Sequence, residues 1–260
     1  MKLNVSLAQM DVLVGQVDKN LAKARSMVAE AAQLGSDLVI LPELWSSGYD
    51  LENAAGHAAA LDGGIFAKTA AMAAEYRIHV AGSCISLLGP GRFGNTLVCF
   101  DPDGEKLGDY SKVHLYRLMN EDRFLSPGER LTIVDLPWGS VGLAICYDLR
   151  FPEIFRSYAM AGAELIILPA EWPRPRLAHW RTLLRARAIE NQMFVIACNR
   201  VGETAADQFP GHSAVIDPWG KALVEGGEDE ALLTVEIDLA EVSRFRDLMP
   251  VFEDRRPDLY

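Results

Sequence analysis

Two apolar runs, each closed by a proline, constrain this chain most. Leu38-Val-Ile-Leu-Pro42 follows Gly35-Ser-Asp37, and Leu165-Ile-Ile-Leu-Pro169 follows Gly162-Ala-Glu164, 127 residues later. Four consecutive aliphatic residues offer no polar face, so each run predicts a strand buried on both sides. Two further pairs of segments keep the same order. Val5-Ser-Leu-Ala8 is echoed by Val141-Gly-Leu-Ala144, and the turn Phe100-Asp-Pro-Asp-Gly104 by Ile216-Asp-Pro-Trp-Gly220. Helical patterns at 20–34, 65–76, 155–161 and 177–191 alternate with strand patterns at 79–85, 95–100, 194–198, 213–216 and 222–225. An α/β unit present twice implies two similar sheets packed together with helices outside. No Pro- or Ser-rich linker interrupts the chain, so a single domain over 1–260 is expected.

Charge narrows the partners. Lys plus Arg number 25 against 36 Asp plus Glu, a formal net charge of −11. Such a chain repels phosphate backbones and anionic lipid, so nucleic acid and membrane surfaces are not expected partners. Half of the residues are apolar and 23% are charged, which excludes disorder and low complexity for the chain as a whole. Cys84, Cys99, Cys146 and Cys198 form no CxxC pair, and no His stands at metal-ligand spacing, so neither a disulfide scaffold nor a metal site is expected. The opening MKLNVSLAQMDVLVGQ lacks a signal-peptide pattern, and no apolar run is long enough for a membrane helix. A reducing cytoplasm is the expected compartment.

In α/β folds reactive residues gather past the carboxyl ends of buried strands. Three such ends stand out: Glu43 after Leu41-Pro42, Lys112 after Tyr110-Ser111, and Cys146 after Val141-Gly-Leu-Ala-Ile145. Cys146 leaves its strand into the polar run Tyr147-Asp-Leu-Arg150, where a turn exposes a side chain beside backbone N–H groups. The other three cysteines lie within apolar strand patterns and read as core. A thiol needs a base or a cation to become a good nucleophile. None of the five histidines falls in a Cys–His protease pattern, which leaves Glu43 as the candidate base and Lys112 as the candidate positive charge. Taken one at a time, each residue also has an ordinary reading: a core thiol, a loop carboxylate, a solvated lysine.

Together these segments resemble a known family. Leu41-Pro-Glu-Leu44 with Gly48-Tyr49, Tyr110-Ser-Lys-Val-His-Leu115, and Gly142-Leu-Ala-Ile-Cys-Tyr-Asp-Leu-Arg-Phe-Pro-Glu153 are similar to the three signatures of the nitrilase superfamily of carbon–nitrogen hydrolases, in that family's order. The resemblance runs from Val5 to about Asp247. It implies an α/β fold, an αββα four-layer sandwich of two mixed sheets, and a Glu43–Lys112–Cys146 triad that works without cofactor or metal through a thioester. It also implies a second glutamate, matched by Glu121 ahead of Ser126-Pro-Gly128, and an oxyanion site at the Tyr147 backbone N–H. Cys146 is then the thiol expected to be activated.

Within the superfamily, Leu168-Pro-Ala-Glu-Trp-Pro173, His179-Trp180, Leu184-Arg-Ala-Arg-Ala-Ile-Glu-Asn-Gln192, Ala197-Cys-Asn-Arg200 and Gly211–Gly220 resemble the ω-amidase branch. That likeness implies a small amide bearing a carboxylate, such as 2-oxoglutaramate, cut to acid and ammonia. An N-carbamoyl hydrolase, a nitrilase or a deaminated-glutathione amidase are the alternatives on the same fold. A catalytically silent binding protein is the alternative of another class. A remote carboxylate calls for a pocket guanidinium. Arg150 holds the carboxylate-binding position of related carbamoyl-amino-acid hydrolases, and equally could pair with Asp148 or Glu153. Tyr49 and Trp172 are candidate pocket walls. Arg174 and Arg176 read mainly as surface residues, and Arg181, Arg185 and Arg187 as ion-pair partners of Glu190 or of another subunit. The family resemblance implies a homodimer or larger homo-oligomer, with the tail at about 245–260 at a subunit interface.

Overall fold

The structure, a computed structural model, describes residues 1–259. The first half runs β1 (Lys2–Gln9), α1 (Val17–Gln33), β2 (Leu38–Ile40), α2 (Ala54–His57), α3 (Gly64–Tyr76), β3 (His79–Gly89), β4 (Arg92–Phe100) and β5 (Lys106–Ser111). After the single helical turn α4 (Glu121–Phe124) come β6 (Ile133–Leu136), β7 (Gly139–Leu143), α5 (Pro152–Met160), β8 (Leu165–Ala170), α6 (Leu177–Asn191) and β9 (Phe194–Asn199). A hairpin of β10 (Val201–Glu203) and β11 (Gln208–Pro210), then β12 (Ala214–Ile216), β13 (Ala222–Glu225), β14 (Ala231–Asp238) and α7 (Ala240–Leu248) complete the chain.

Two six-stranded sheets form, in the orders β14-β1-β2-β3-β4-β5 and β13-β12-β9-β8-β7-β6. Each has three parallel strands at its centre, β1-β2-β3 and β7-β8-β9, flanked by antiparallel ones. The pairing pattern of one sheet therefore repeats in the other, as the duplicated segments imply. The repeat reaches single hydrogen bonds. Asp101 Oδ1 accepts from the N–H groups of Asp103 and Glu105, and Asp217 Oδ1 accepts from those of Trp219 and Lys221. Gly104 and Gly220 close these turns at φ +82° and +83°, a conformation that side chains rarely adopt.

Strand alternation sorts the layers. In the first sheet Val5, Leu7, Leu38, Ile40, Ala81 and Leu97 face inward, into one core shared with the second sheet and with α5 and α6. Their neighbours Ala8, Val39, Leu41, Val80 and Val98 face outward and pack with Ala24, Val28 and Ala31 of α1 and Phe66, Met72 and Ala73 of α3. Fully burying each large aliphatic side chain contributes about 1.5–3 kcal/mol, so the four-layer arrangement follows from the apolar runs.

The structure extends the sequence reading at several places. Helix α1 starts at Val17 rather than at Asn20. Asn20 instead turns inward, where its carboxamide bonds the N–H and carbonyl of Leu13 and the carbonyl of Ser46. Pro152 opens α5 three residues earlier than expected, since proline suits the first helical turn. The strands β6 and β14 and the helix α7 were not anticipated. β14 returns from the end of the chain to pair antiparallel with β1 along its whole length, Lys2 opposite Asp238 and Gln9 opposite Ala231.

Candidate active site

Cys146 stands where the chain leaves β7. It opens a 3-10 turn, Cys146–Arg150, at φ +45°, an uncommon conformation for a residue with a side chain. Asp148 fixes this turn. Its Oδ2 accepts the Ile145 N–H at 2.9 Å and the Tyr110 hydroxyl at 2.8 Å. Its Oδ1 accepts the His114 N–H at 3.2 Å and lies 2.9 Å from His114 Nδ1. Tyr110 and His114 flank Lys112, so one buried carboxylate ties the cysteine turn to the segment carrying the lysine.

Glu43 follows β2, Lys112 follows β5, and both are fully buried. Lys112 Nζ donates to Glu43 Oε1 at 2.7 Å and to Glu121 Oε1 at 2.9 Å. The same two carboxylate oxygens share two further donors. The Tyr49 hydroxyl lies 3.0 Å from each, and Asn95 Nδ2 lies 2.8 Å from Glu43 and 3.4 Å from Glu121. Glu43 Oε2 takes the Glu171 backbone N–H at 2.8 Å, and Glu121 Oε2 takes the Tyr116 N–H. Every oxygen of both carboxylates is thus bonded, which offsets their burial.

Electrostatics set the resting protonation. Burial pushes the Cys146 thiol well above its ordinary value; the charge of Glu43 and a hydrogen bond to it add to the rise, and Lys112 opposes it. Burial alone would lower the Lys112 ammonium, but Glu121 and Glu43 hold it well above the usual lysine range. Glu121 is raised by burial, with Lys112 opposing. Burial and the charges of Glu121 and Glu43 likewise raise the Tyr49 phenol, which stays a donor.

Cys146 opens into a small, largely apolar pocket lined also by Tyr116, Tyr147, Arg150, Trp172, Pro173 and Arg176. The Arg150 guanidinium lies 4.8 Å over the Trp172 ring and donates to His179 Nδ1 at 3.3 Å. It forms no ion pair with Asp148, whose oxygens are taken by Tyr110, His114 and the Ile145 N–H. Trp172 lines this pocket. The Tyr49 hydroxyl reaches Glu43 and Glu121. Arg174 is a surface residue paired with Glu228 at 2.8 Å, but Arg176 lines the pocket. Of the three arginines read as partners of Glu190, Arg187 pairs with it at 2.9 Å, whereas Arg181 and Arg185 pair with Glu225. Among the described residues, no group of three or more His, Cys, Asp or Glu side chains is placed to hold a metal ion.

A family model described as carbon-nitrogen hydrolase matches residues 4–247. The chain belongs to the carbon–nitrogen hydrolase family. It is 40% identical to a 2-oxoglutaramate amidase from Bacillus subtilis, over the full length of both chains. It is 35% identical to an omega-amidase from Homo sapiens, covering 93% of this chain and 91% of that one. Among solved structures it is similar to a carbon–nitrogen hydrolase superfamily protein from Xanthomonas campestris, with a TM-score of 0.92, 33% identity and 98% of each chain covered. Among the described residues of this carbon–nitrogen hydrolase, no helix is long and apolar enough to cross a membrane.

Two site residues of this hydrolase escaped the sequence reading. Asn95 is fully buried within the apolar strand β4, and a buried carboxamide in such a strand is itself a signal of a polar task. Glu171, 1% exposed, follows β8 as Glu43 follows β2, and its Oε2 accepts from Arg200 Nη1 at 3.1 Å. The arrangement can pass the thiol proton of Cys146 to Glu43 as a bond to sulfur forms, beside an ammonium that can stabilise developing negative charge.

Proposed function

We propose that this hydrolase cuts 2-oxoglutaramate, or a close relative with the same carboxylate end, to 2-oxoglutarate and ammonia through a Cys146 thioester. The observation that carries this reading is the pocket itself: the buried Cys146 thiol, beside the charges of Glu43 and Lys112, lines one small apolar pocket with the Arg150 guanidinium, which has no carboxylate partner among the described residues. The similarity to an enzyme named 2-oxoglutaramate amidase supports it.

In this reading Cys146 Sγ attacks the amide carbonyl carbon while Glu43 takes the thiol proton. A tetrahedral oxyanion forms, held by Lys112 Nζ and the Tyr147 N–H. Losing one such donor commonly costs about 10²–10³ in rate. Glu43 passes its proton to the nitrogen, the C–N bond breaks and ammonia leaves. Glu43 then takes a proton from water as the water attacks the thioester, and the thiol is restored as the acid departs. Glu121 keeps Lys112 charged and placed. Arg150 binds the remote carboxylate, and Trp172 walls the chain between the two ends.

The fold is taken to work as a single domain in a homodimer or larger homo-oligomer in the cytoplasm, with the tail from about 245 at a subunit interface. Trp219 stacks on Phe245 at 4.8 Å, and Ile189, Trp219, Leu248 and Met249 are exposed apolar groups on or beside α7.

The test is ammonia release from a panel of amides, nitriles and N-carbamoyl amino acids. The expected result is the highest kcat/KM on 2-oxoglutaramate. Faster turnover of carbamoyl compounds with release of carbon dioxide, or of neutral amides, would overturn the substrate assignment.

A further inference from the structure

We infer that Arg176 is a second anion-binding residue of the Cys146 pocket, and that with Arg150 it recognises the head of a 2-oxo acid, carboxylate and adjacent keto oxygen together. The inference rests on the amidase reading above and assigns the part of the substrate remote from the amide.

Arg176 ends a short turn, Arg174–Arg176, between β8 and α6. Its backbone is pinned to the pocket wall. The Trp172 indole N–H donates to the Arg176 carbonyl at 2.8 Å, and the Arg176 N–H donates to the Pro173 carbonyl at 3.1 Å. The same indole lies under the Arg150 guanidinium. One aromatic ring therefore sets the spacing of both arginines. The Arg176 guanidinium lies 5.8 Å over the Tyr116 ring, on another wall of the same cavity. A guanidinium stacked on a ring keeps its N–H edge free for an oxygen ligand.

Several neighbouring arginines are neutralised. Arg174 pairs with Glu228, Arg181 and Arg185 with Glu225, and Arg200 with Asp11 and Glu171. Among the described residues, Arg150 and Arg176 have no such carboxylate. Two half-buried guanidinium groups without a carboxylate partner thus face one small aromatic-walled pocket, a setting that favours an anion between them. A simple carboxylate satisfies one guanidinium fork. A 2-oxo acid offers three coplanar oxygens, enough for two.

The experiment compares wild type, Arg176→Gln and Arg176→Lys on three amides: 2-oxoglutaramate, the monoamide of glutaric acid, and neutral valeramide. The preference for 2-oxoglutaramate over valeramide, as a ratio of kcat/KM, is expected to fall about 10- to 100-fold in Arg176→Gln, mainly through KM. Arg176→Lys retains part of the preference, because charge remains while the fork is lost. The preference for 2-oxoglutaramate over the glutaric monoamide shrinks as well. If wild type favours the anionic amides and Arg176→Gln keeps that preference, or loses rate equally on all three, the inference is overturned and the amidase reading stands. If wild type itself shows no preference for an anionic amide, both fall together.

Discussion

The backbone N–H of Glu171 donates to Glu43 Oε2 at 2.8 Å, across 128 residues of sequence. Glu43 follows the central strand of one sheet and Glu171 follows its counterpart in the other, so the duplication places each strand tip against its twin. The carboxylate assigned as the base is thereby aimed by the other half of the molecule. Tyr49, Asn95 and Lys112 fix its remaining oxygen.

Substitution within the cluster separates chemistry from folding. Cys146→Ala and Glu43→Gln are each expected to lower kcat by at least about 10³, with melting temperatures near wild type. Lys112→Ala is expected to abolish turnover as well, and to destabilise the protein by about 3–5 kcal/mol, because Glu43 and Glu121 lose their shared cation while buried. Ammonia assays together with thermal melts check both parts. Wild-type-like ammonia release from any variant removes that residue from the mechanism.

Alkylation tests the state of the thiol. Cys84 and Cys99 lie within β3 and β4, and burial pushes both up to about 12. Cys198, within β9, is raised likewise by burial. Cys146 is raised too, but it lines a pocket and has the Glu43 carboxylate beside it to take its proton. Iodoacetamide is expected to label Cys146 in the native protein, slowly, and about tenfold more slowly still in Glu43→Gln. Peptide mass spectrometry reads the outcome. Equal labelling of Cys84 or Cys198 contradicts it.

Asp148 predicts a coupled loss. It accepts the Ile145 N–H, the Tyr110 hydroxyl and the His114 N–H, spanning the cysteine turn and the lysine segment. Asp148→Asn cannot accept from all of these donors, so a stability loss of about 1–3 kcal/mol is expected together with a fall in kcat of about tenfold or more. Denaturant unfolding and steady-state kinetics measure the two. A destabilised variant with unchanged kcat would show that the tie holds the fold but does not align the site.

Glu171 gives a pH signature. Burial pushes its carboxyl from 4.5 up to about 7; Arg200 opposes the rise and the charge of Glu43 adds to it. Between those values the folded protein holds a proton that the unfolded chain has released. This group therefore supports the fold fully below about pH 4.5, and its support is lost as pH rises through 7. Between pH 5 and 8 the stability of wild type is expected to fall relative to that of Glu171→Gln, by on the order of 1–3 kcal/mol. Melts across that range decide it; parallel curves contradict it.

The parts of this account legible in the sequence are those written in local chemistry. The runs 38–41 and 165–168 have no polar face and become central strands, and the residues just past β2, β5 and β7 are Glu43, Lys112 and Cys146. What was not legible depends on register between distant segments. Asn95 reaches Glu43 only because β4 lies beside β3 and β5, and nothing in its neighbours along the chain says so. β14 completes the first sheet from the far end of the chain, which no local pattern specifies. Arg176 lies in Pro173-Arg-Pro-Arg176, a segment with no periodicity to indicate direction, so it reads as surface until Trp172 and Tyr116 are seen around it.

The central claim is that an acyl group rests on Cys146 between loss of ammonia and attack of water. Acid quenching during steady turnover of 2-oxoglutaramate, followed by mass spectrometry of the Cys146 peptide, tests it most directly. The account predicts a fraction of that peptide heavier by one 2-oxoglutaryl group, absent in Cys146→Ala. Ammonia released by wild type at full rate, with the Cys146 peptide unmodified at every quench time and Cys146→Ala still active, would contradict it.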